Sequence, residues 1–185
     1  GTGNRITVFD IASITNGENA ISVLGQADFS ASGAALTQSG LSRSQGLTYD
    51  ATNQRLFVAD YLNNRVLVYD VASITDGENA INVLGQANFT SSVSTSTQSG
   101  MSTPYGLAYD DERRLLFVTN SNHRVLVYDV ASITDGENAI NVLGQSTFTG
   151  NTSATTRSGM NSPRALAYDS VNKRLFVSDT NNQRV

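Results

Sequence analysis

The chain has 185 residues, 39% of them hydrophobic, with 12 Lys plus Arg against 16 Asp plus Glu, one histidine and no cysteine. That length suffices for one sizeable domain or for part of a larger closed assembly. Neither sign of charge gathers into a long run, so nucleic acid and anionic membrane are not expected as partners. Without cysteine there are no disulfides, thiolate zinc sites or cysteine nucleophiles, and the compartment stays open.

No apolar run approaches the roughly 18 residues of a membrane span, and residues 1–10 lack the basic and apolar regions of a leader peptide. The sequence therefore reads as soluble with localisation unknown, compatible with a bacterial extracellular protein or a recombinant repeat.

Along the chain, a segment from Arg5 to Gln26 is followed by a closer copy from Arg65 to Gln86, which recurs letter for letter from Arg124 to Gln145. The equivalent arginines are Arg5, Arg65, Arg124 and Arg184, a period of 60, 59 and 60 residues. The shortened step arises where Asp60 to Arg65 is matched by Asn120 to Arg124, in a turn, which tolerates length changes as strands do not.

Each period predicts four short strands, a to d. In one copy these are Gly106 to Asp110 after Pro104, Arg114 to Thr119, Arg124 to Tyr128, and Ile140 to Leu143. They are rich in Val, Leu, Tyr and Phe and bounded by Asp, Asn, Gly and Pro. Strands b and c are apolar on both faces, as in Val66, Leu67, Val68 and Tyr69, so each sheet must be covered on both sides. Sheets stacked around an axis meet that demand. The small residues Thr48, Ala108 and Ala167 at the centre of strand a suit an innermost strand. The fold class expected is all-β: a β-propeller of four-stranded antiparallel blades, about three per chain.

Two connections are long. Between c and d, Asp70 or Asp129 is expected to cap one helical turn ending at Gly77 or Gly136. Between d and a lies a Ser/Thr-rich loop anchored by Phe29, Phe89 or Phe148.

The run Pro104 to Asp110, then Leu116 to Asn120, then Asn122 to Asp129 resembles the NHL repeat of β-propellers. The resemblance spans essentially the whole chain and implies a propeller fold, in a family that includes enzymes, nucleic-acid binders and scaffolds. The unit is longer than the 40 to 45 residues or so of many propeller blades. Only Asn122-His123 carries the family's histidine, with Asn64 and Gln183 in its place elsewhere. Members that lyse amidated peptides use several histidines around a central metal, which a single histidine cannot supply.

The phase of the repeat gives a c-d half blade (about 4–26), two whole blades (about 44–86 and 104–145) and an a-b half blade (about 163–185). The halves have complementary open edges, and three blades are too few for a ring of the usual four to eight. The expectation is a homodimer closing six blades, or a homotrimer closing nine. Near-identical neighbouring copies fit either an excerpt of a longer natural propeller or an engineered repeat.

No catalytic residue, metal site or cofactor is expected. His123 leaves one candidate base and no multi-histidine metal site, and it reads as a turn residue with a local hydrogen bond. The acidic turn Thr75 to Asn79 lacks the ligand spacing of a calcium loop, and Asn16 replaces its first aspartate in one copy. Asp60, Asn120 and Asp179, each followed by an arginine four or five residues on, read as structural turn clamps. The copies disagree at Gln45, Tyr105 and Arg164, at the start of strand a, and in the residues that open it, Arg43-Ser44, Thr103-Pro104 and Ser162-Pro163, which would ring one mouth of a propeller channel. Such a mouth would take a polar small molecule, a glycan or a peptide. The leading function expected is a non-enzymatic, self-assembling scaffold; the alternative is an extracellular ligand-binding propeller.

Overall fold

In the computed structural model, which describes residues 3–185, the chain is all-β apart from two single 3-10 turns, Tyr61–Asn63 and Thr180–Asn182. Its strands are β1 (Ile6–Val8), β2 (Ser22–Leu24), β3 (Ser44–Asp50), β4 (Arg55–Asp60), β5 (Arg65–Asp70) and β6 (Asn82–Leu84). They continue as β7 (Leu107–Asp110), β8 (Leu115–Asn120), β9 (Arg124–Asp129), β10 (Asn141–Leu143), β11 (Pro163–Asp169) and β12 (Arg174–Asp179). Four antiparallel sheets result, none closed: the ribbon β1-β2, the four-stranded sheets β3-β4-β5-β6 and β7-β8-β9-β10, and the ribbon β11-β12. In the copy spelled out above, strands a, b and d each begin one residue later than the sequence pattern suggests, at Leu107, Leu115 and Asn141. No helix among the described residues is long and apolar enough to cross a membrane.

The double-sided apolar strands have the use that their pattern demands. Val66, Leu67, Val68 and Tyr69 are all fully buried. Val66 and Val68 pack with Leu116, Leu126 and Tyr128 of the following sheet. Leu67 and Tyr69 pack with Leu24 and Leu41 of the preceding unit. Burying a side chain of this kind contributes about 1.5–3 kcal/mol, so the core is the row of seams between sheets rather than one centre.

The c-d connection corrects an expectation. No helical turn forms after Asp70 or Asp129; each carboxylate instead accepts the N–H of the residue two ahead, Ala72 or Ala131, at 3.0 Å, which closes the backbone locally and turns it away from a helix. The chain then makes a tight turn in which Glu78 N–H donates to Thr75 O (3.3 Å) and Glu78 Oε2 accepts from Thr75 N–H (3.1 Å). Gly77 supplies the positive φ of 69° that this turn requires.

The turn reaches backwards. Asp76 Oδ1 accepts Val23 N–H at 2.9 Å and Gly77 N–H donates to Val23 O at 3.1 Å. Asp135 and Gly136 do the same to Val83, both at 3.0 Å. The acidic turns at Asp76 and Asp135 thus each clasp the outer strand of the unit before them, which gives their first carboxylate a structural partner.

The crowding expected at Thr48, Ala108 and Ala167 lies instead two residues earlier. Gly46 N–H donates to Tyr105 O at 2.8 Å, and a Cβ on Gly46 would lie 2.5 Å from that oxygen. A Cβ on Gly106 would lie 2.1 Å from Arg164 O. Ala167 is exposed. Neighbouring first strands meet backbone to backbone, so the closest approach falls where a side chain is missing altogether.

Candidate functional site

The starts of β3, β7 and β11 lie side by side because β7 packs against both of the others. Each is preceded by a residue in the left-handed region: Arg43 (φ 57°), Thr103 (φ 39°) and Ser162 (φ 54°). This brings Tyr105 and Arg164 together, with the Arg164 guanidinium carbon 4.9 Å from the Tyr105 ring centroid and its Nη1 donating to Tyr105 Oη at 3.4 Å. Tyr61, from the 3-10 turn after β4, meets Tyr105 edge-on at 5.3 Å, and Arg43 stacks over Tyr61 at 5.1 Å.

The result is a row, Arg43, Tyr61, Tyr105, Arg164, of which the last three border a pocket of about 80 Å³ also lined by Thr103, Ser121 and Pro163. Both arginines are exposed, and neither is in an ion pair among the described residues. Gln45 does not line the pocket. Comparing copies at one position finds Gln45, Tyr105 and Arg164, but not Tyr61, which joins the row from another connection. Two guanidinium groups over aromatic faces suit a ligand that carries a carboxylate and a flat or apolar surface.

The other chemistry-bearing residues serve the fold. Arg65 is fully buried; its Nε donates to Asp60 Oδ2 at 2.7 Å, and its Nη atoms donate to Thr37 O and Gly40 O (both 2.9 Å) and to Phe89 O. One guanidinium therefore ties together the b-c turn and two d-a loops. Burial pushes the Asp60 carboxyl up, against the pull of Arg65 and the hydrogen bonds from Ser42 and Asn63. At the more open Asp179, desolvation also acts upward, but the hydrogen bonds from Asn161, Asn182 and Arg184 outweigh it and hold the carboxyl below its usual value.

Arg124, equally buried, faces Asn120 instead of a carboxylate. Its Nε has no partner among the described residues, and burial pushes its guanidinium pKa down.

His123 makes its hydrogen bond to the next unit, and not locally: its Nδ1 accepts Ser162 N–H at 3.0 Å. Asn4 Oδ1 and Asn64 Oδ1 do the same for Arg43 and Thr103, each at 2.8 Å. The position needs one acceptor, which asparagine and neutral histidine both provide, and at His123 (φ 57°) and Asn64 (φ 54°) the residue that carries it is left-handed.

No protein-family model matches the chain, and no curated protein matches it. Among solved structures, it is similar to an auxiliary nutrient binding protein from Bacteroides thetaiotaomicron, with a TM-score of 0.56 at 12% identity, covering 88% of this chain and 41% of that one. The chain thus spans about two-fifths of that protein's length, and at this identity the likeness concerns the fold alone.

Proposed function

We propose that the chain is a non-enzymatic β-propeller segment of the NHL type, a scaffold in which two copies complete one six-bladed ring. The observation that carries this reading is the exposure of two complementary sheet edges. In β5 every residue but the last is buried, whereas its equivalent β1 is at best half-buried; β4 is mostly buried, whereas in its equivalent β12 only Asp179 is. A pocket of about 420 Å³ beside Leu175, Phe176 and Val177 lies where a third strand would sit.

Pairing β12 with β1 of a second copy in the register of β4 and β5 would set Leu175 opposite Phe9, Phe176 opposite Val8 and Asp179 opposite Arg5. Arg184 now holds Asp179 at 2.7 Å, so docking exchanges one arginine for its equivalent. Ala165 stands where Gly46 and Gly106 permit close approach, which holds the seam between copies wider at the axis than the seams within a chain. Light scattering and native mass spectrometry are expected to show a concentration-dependent species of twice the chain mass. A monomer at every concentration overturns the reading, and a species of three times the chain mass replaces the six-bladed ring with a nine-bladed one.

A second reading is favoured by the Arg43, Tyr61, Tyr105, Arg164 row: binding of a glycan or peptide bearing a carboxylate at the mouth. The name of the nutrient-binding structure is in keeping with it. A glycan and peptide array should give saturable binding to acidic members, weakened about tenfold or more by Tyr105→Ala through loss of both stacking partners. Binding unchanged by that substitution counts against the mouth as the site.

A further inference from the structure

The clasp made by the acidic turn occurs at both intact seams, on Val23 and on Val83, while the same strand in the next unit lacks it. No described residue outside its own sheet bonds to the backbone of Val142. The exposure follows: Val83 and Leu84 are fully buried, whereas Val142 is half-buried and Leu143 is 39% exposed. A groove of about 290 Å³ opens there, lined by Leu115, Phe117, Val127, Val142, Leu143 and Leu175.

The matching turn is also present and unused. Thr15 and Glu18 make the same pair of bonds, Glu18 N–H to Thr15 O at 3.3 Å and Thr15 N–H to Glu18 Oε2 at 3.1 Å, and Gly17 has a φ of 76°. Cβ atoms built on Gly77 and Gly136 would touch Ala27 and Ala87 of the preceding unit, but one on Gly17 would meet nothing within 4 Å. The apolar residues around this turn are also bare: Phe9 is 49%, Ile11 74% and Ile14 76% exposed, whereas of their equivalents Tyr69, Tyr128 and Val130 are fully buried and Val71, Ile74 and Ile133 half-buried.

We infer that Asn16 and Gly17 of one copy clasp Val142 of a second copy, with Asn16 Oδ1 accepting Val142 N–H and Gly17 N–H donating to Val142 O, while Phe9, Ile11 and Ile14 fill the groove. The inference rests on the pairing of copies proposed above and names the contact that fixes its register. Asparagine supplies the acceptor oxygen that aspartate supplies at the other seams, and it does so without a charge.

Hydrogen exchange at single amides tests it on the whole chain. The Val23 and Val83 amides should be protected at all concentrations, and the Val142 amide protected only where the double-mass species forms. Asn16→Ala, in an exposed turn, should leave that species detectable but weaken it about tenfold, with faster exchange at Val142. A double-mass species in which Val142 exchanges freely overturns the clasp and leaves the β1-β12 pairing standing. A chain that stays monomeric overturns both.

Discussion

Replacing Asp60 with alanine is expected to destabilise the fold by about 3–5 kcal/mol, the loss typical of leaving one member of a buried ion pair without its partner. Asp60 and Arg65 are both fully buried, and the carboxylate also accepts Ser42 N–H at 2.6 Å and Asn63 Nδ2 at 2.8 Å. Its removal leaves the Arg65 Nε unpaired and loosens the b-c turn and the loop that precedes β3. The third unit contains the complementary experiment, because Asn120 occupies the same place and Arg124 Nε is unsatisfied. Asn120→Asp should therefore stabilise by roughly 1–2 kcal/mol, the gain from a charge-assisted hydrogen bond net of the cost of burying a second charge. Urea unfolding of the two variants measures both. If Asp60→Ala costs less than about 1 kcal/mol, the guanidinium is sufficiently held by its carbonyl partners and the clamp has been overvalued.

The other large effect is expected at Gly106. A methyl there would sit 2.1 Å from Arg164 O, the same oxygen that accepts the Thr119 hydroxyl at 2.7 Å, and the obstacle is backbone rather than a side chain that can swing aside. Gly106→Ala should cost about 1–3 kcal/mol, the usual range for forcing extra volume into a packed site. Ala165, at the equivalent position and exposed, provides the control: the local backbone accepts alanine, so a loss at Gly106 reports the approach of the neighbouring strand and not the conformation of the residue. Thermal or denaturant unfolding of Gly106→Ala within about 0.5 kcal/mol of the parent would show that adjacent sheets can move apart freely.

Much of the architecture was legible because it is local. The 60-residue period, the strand-rich runs and the pairing of Asp60 with Arg65 all follow from residues close in sequence or from a letter-for-letter repeat. What was not legible is how one unit meets the next. Asp76 reaches a strand 53 residues earlier, and nothing near it in sequence distinguishes a clasp from an ordinary surface turn. The tight approach at Gly46 and Gly106 depends on the angle between sheets, which a strand pattern does not encode. The row shows the same division: Arg43, Tyr105 and Arg164 lie where comparing copies points, at the entrance to strand a, but Tyr61 joins from a connection whose path only the packed sheets define. His123 was read as a local turn residue because its true partner lies 39 residues ahead.

The clasp has a direction. The turns at Asp76 and Asp135 each reach back to the outer strand of the unit before them, so the contact between units is head-to-tail and never self-complementary. Such a joint can be repeated without limit as far as its chemistry is concerned. The number of units in an assembly is then governed by geometry, through the angle each joint imposes, and whole units can be gained or lost by duplication or deletion with only the two joints at the point of change needing to be remade.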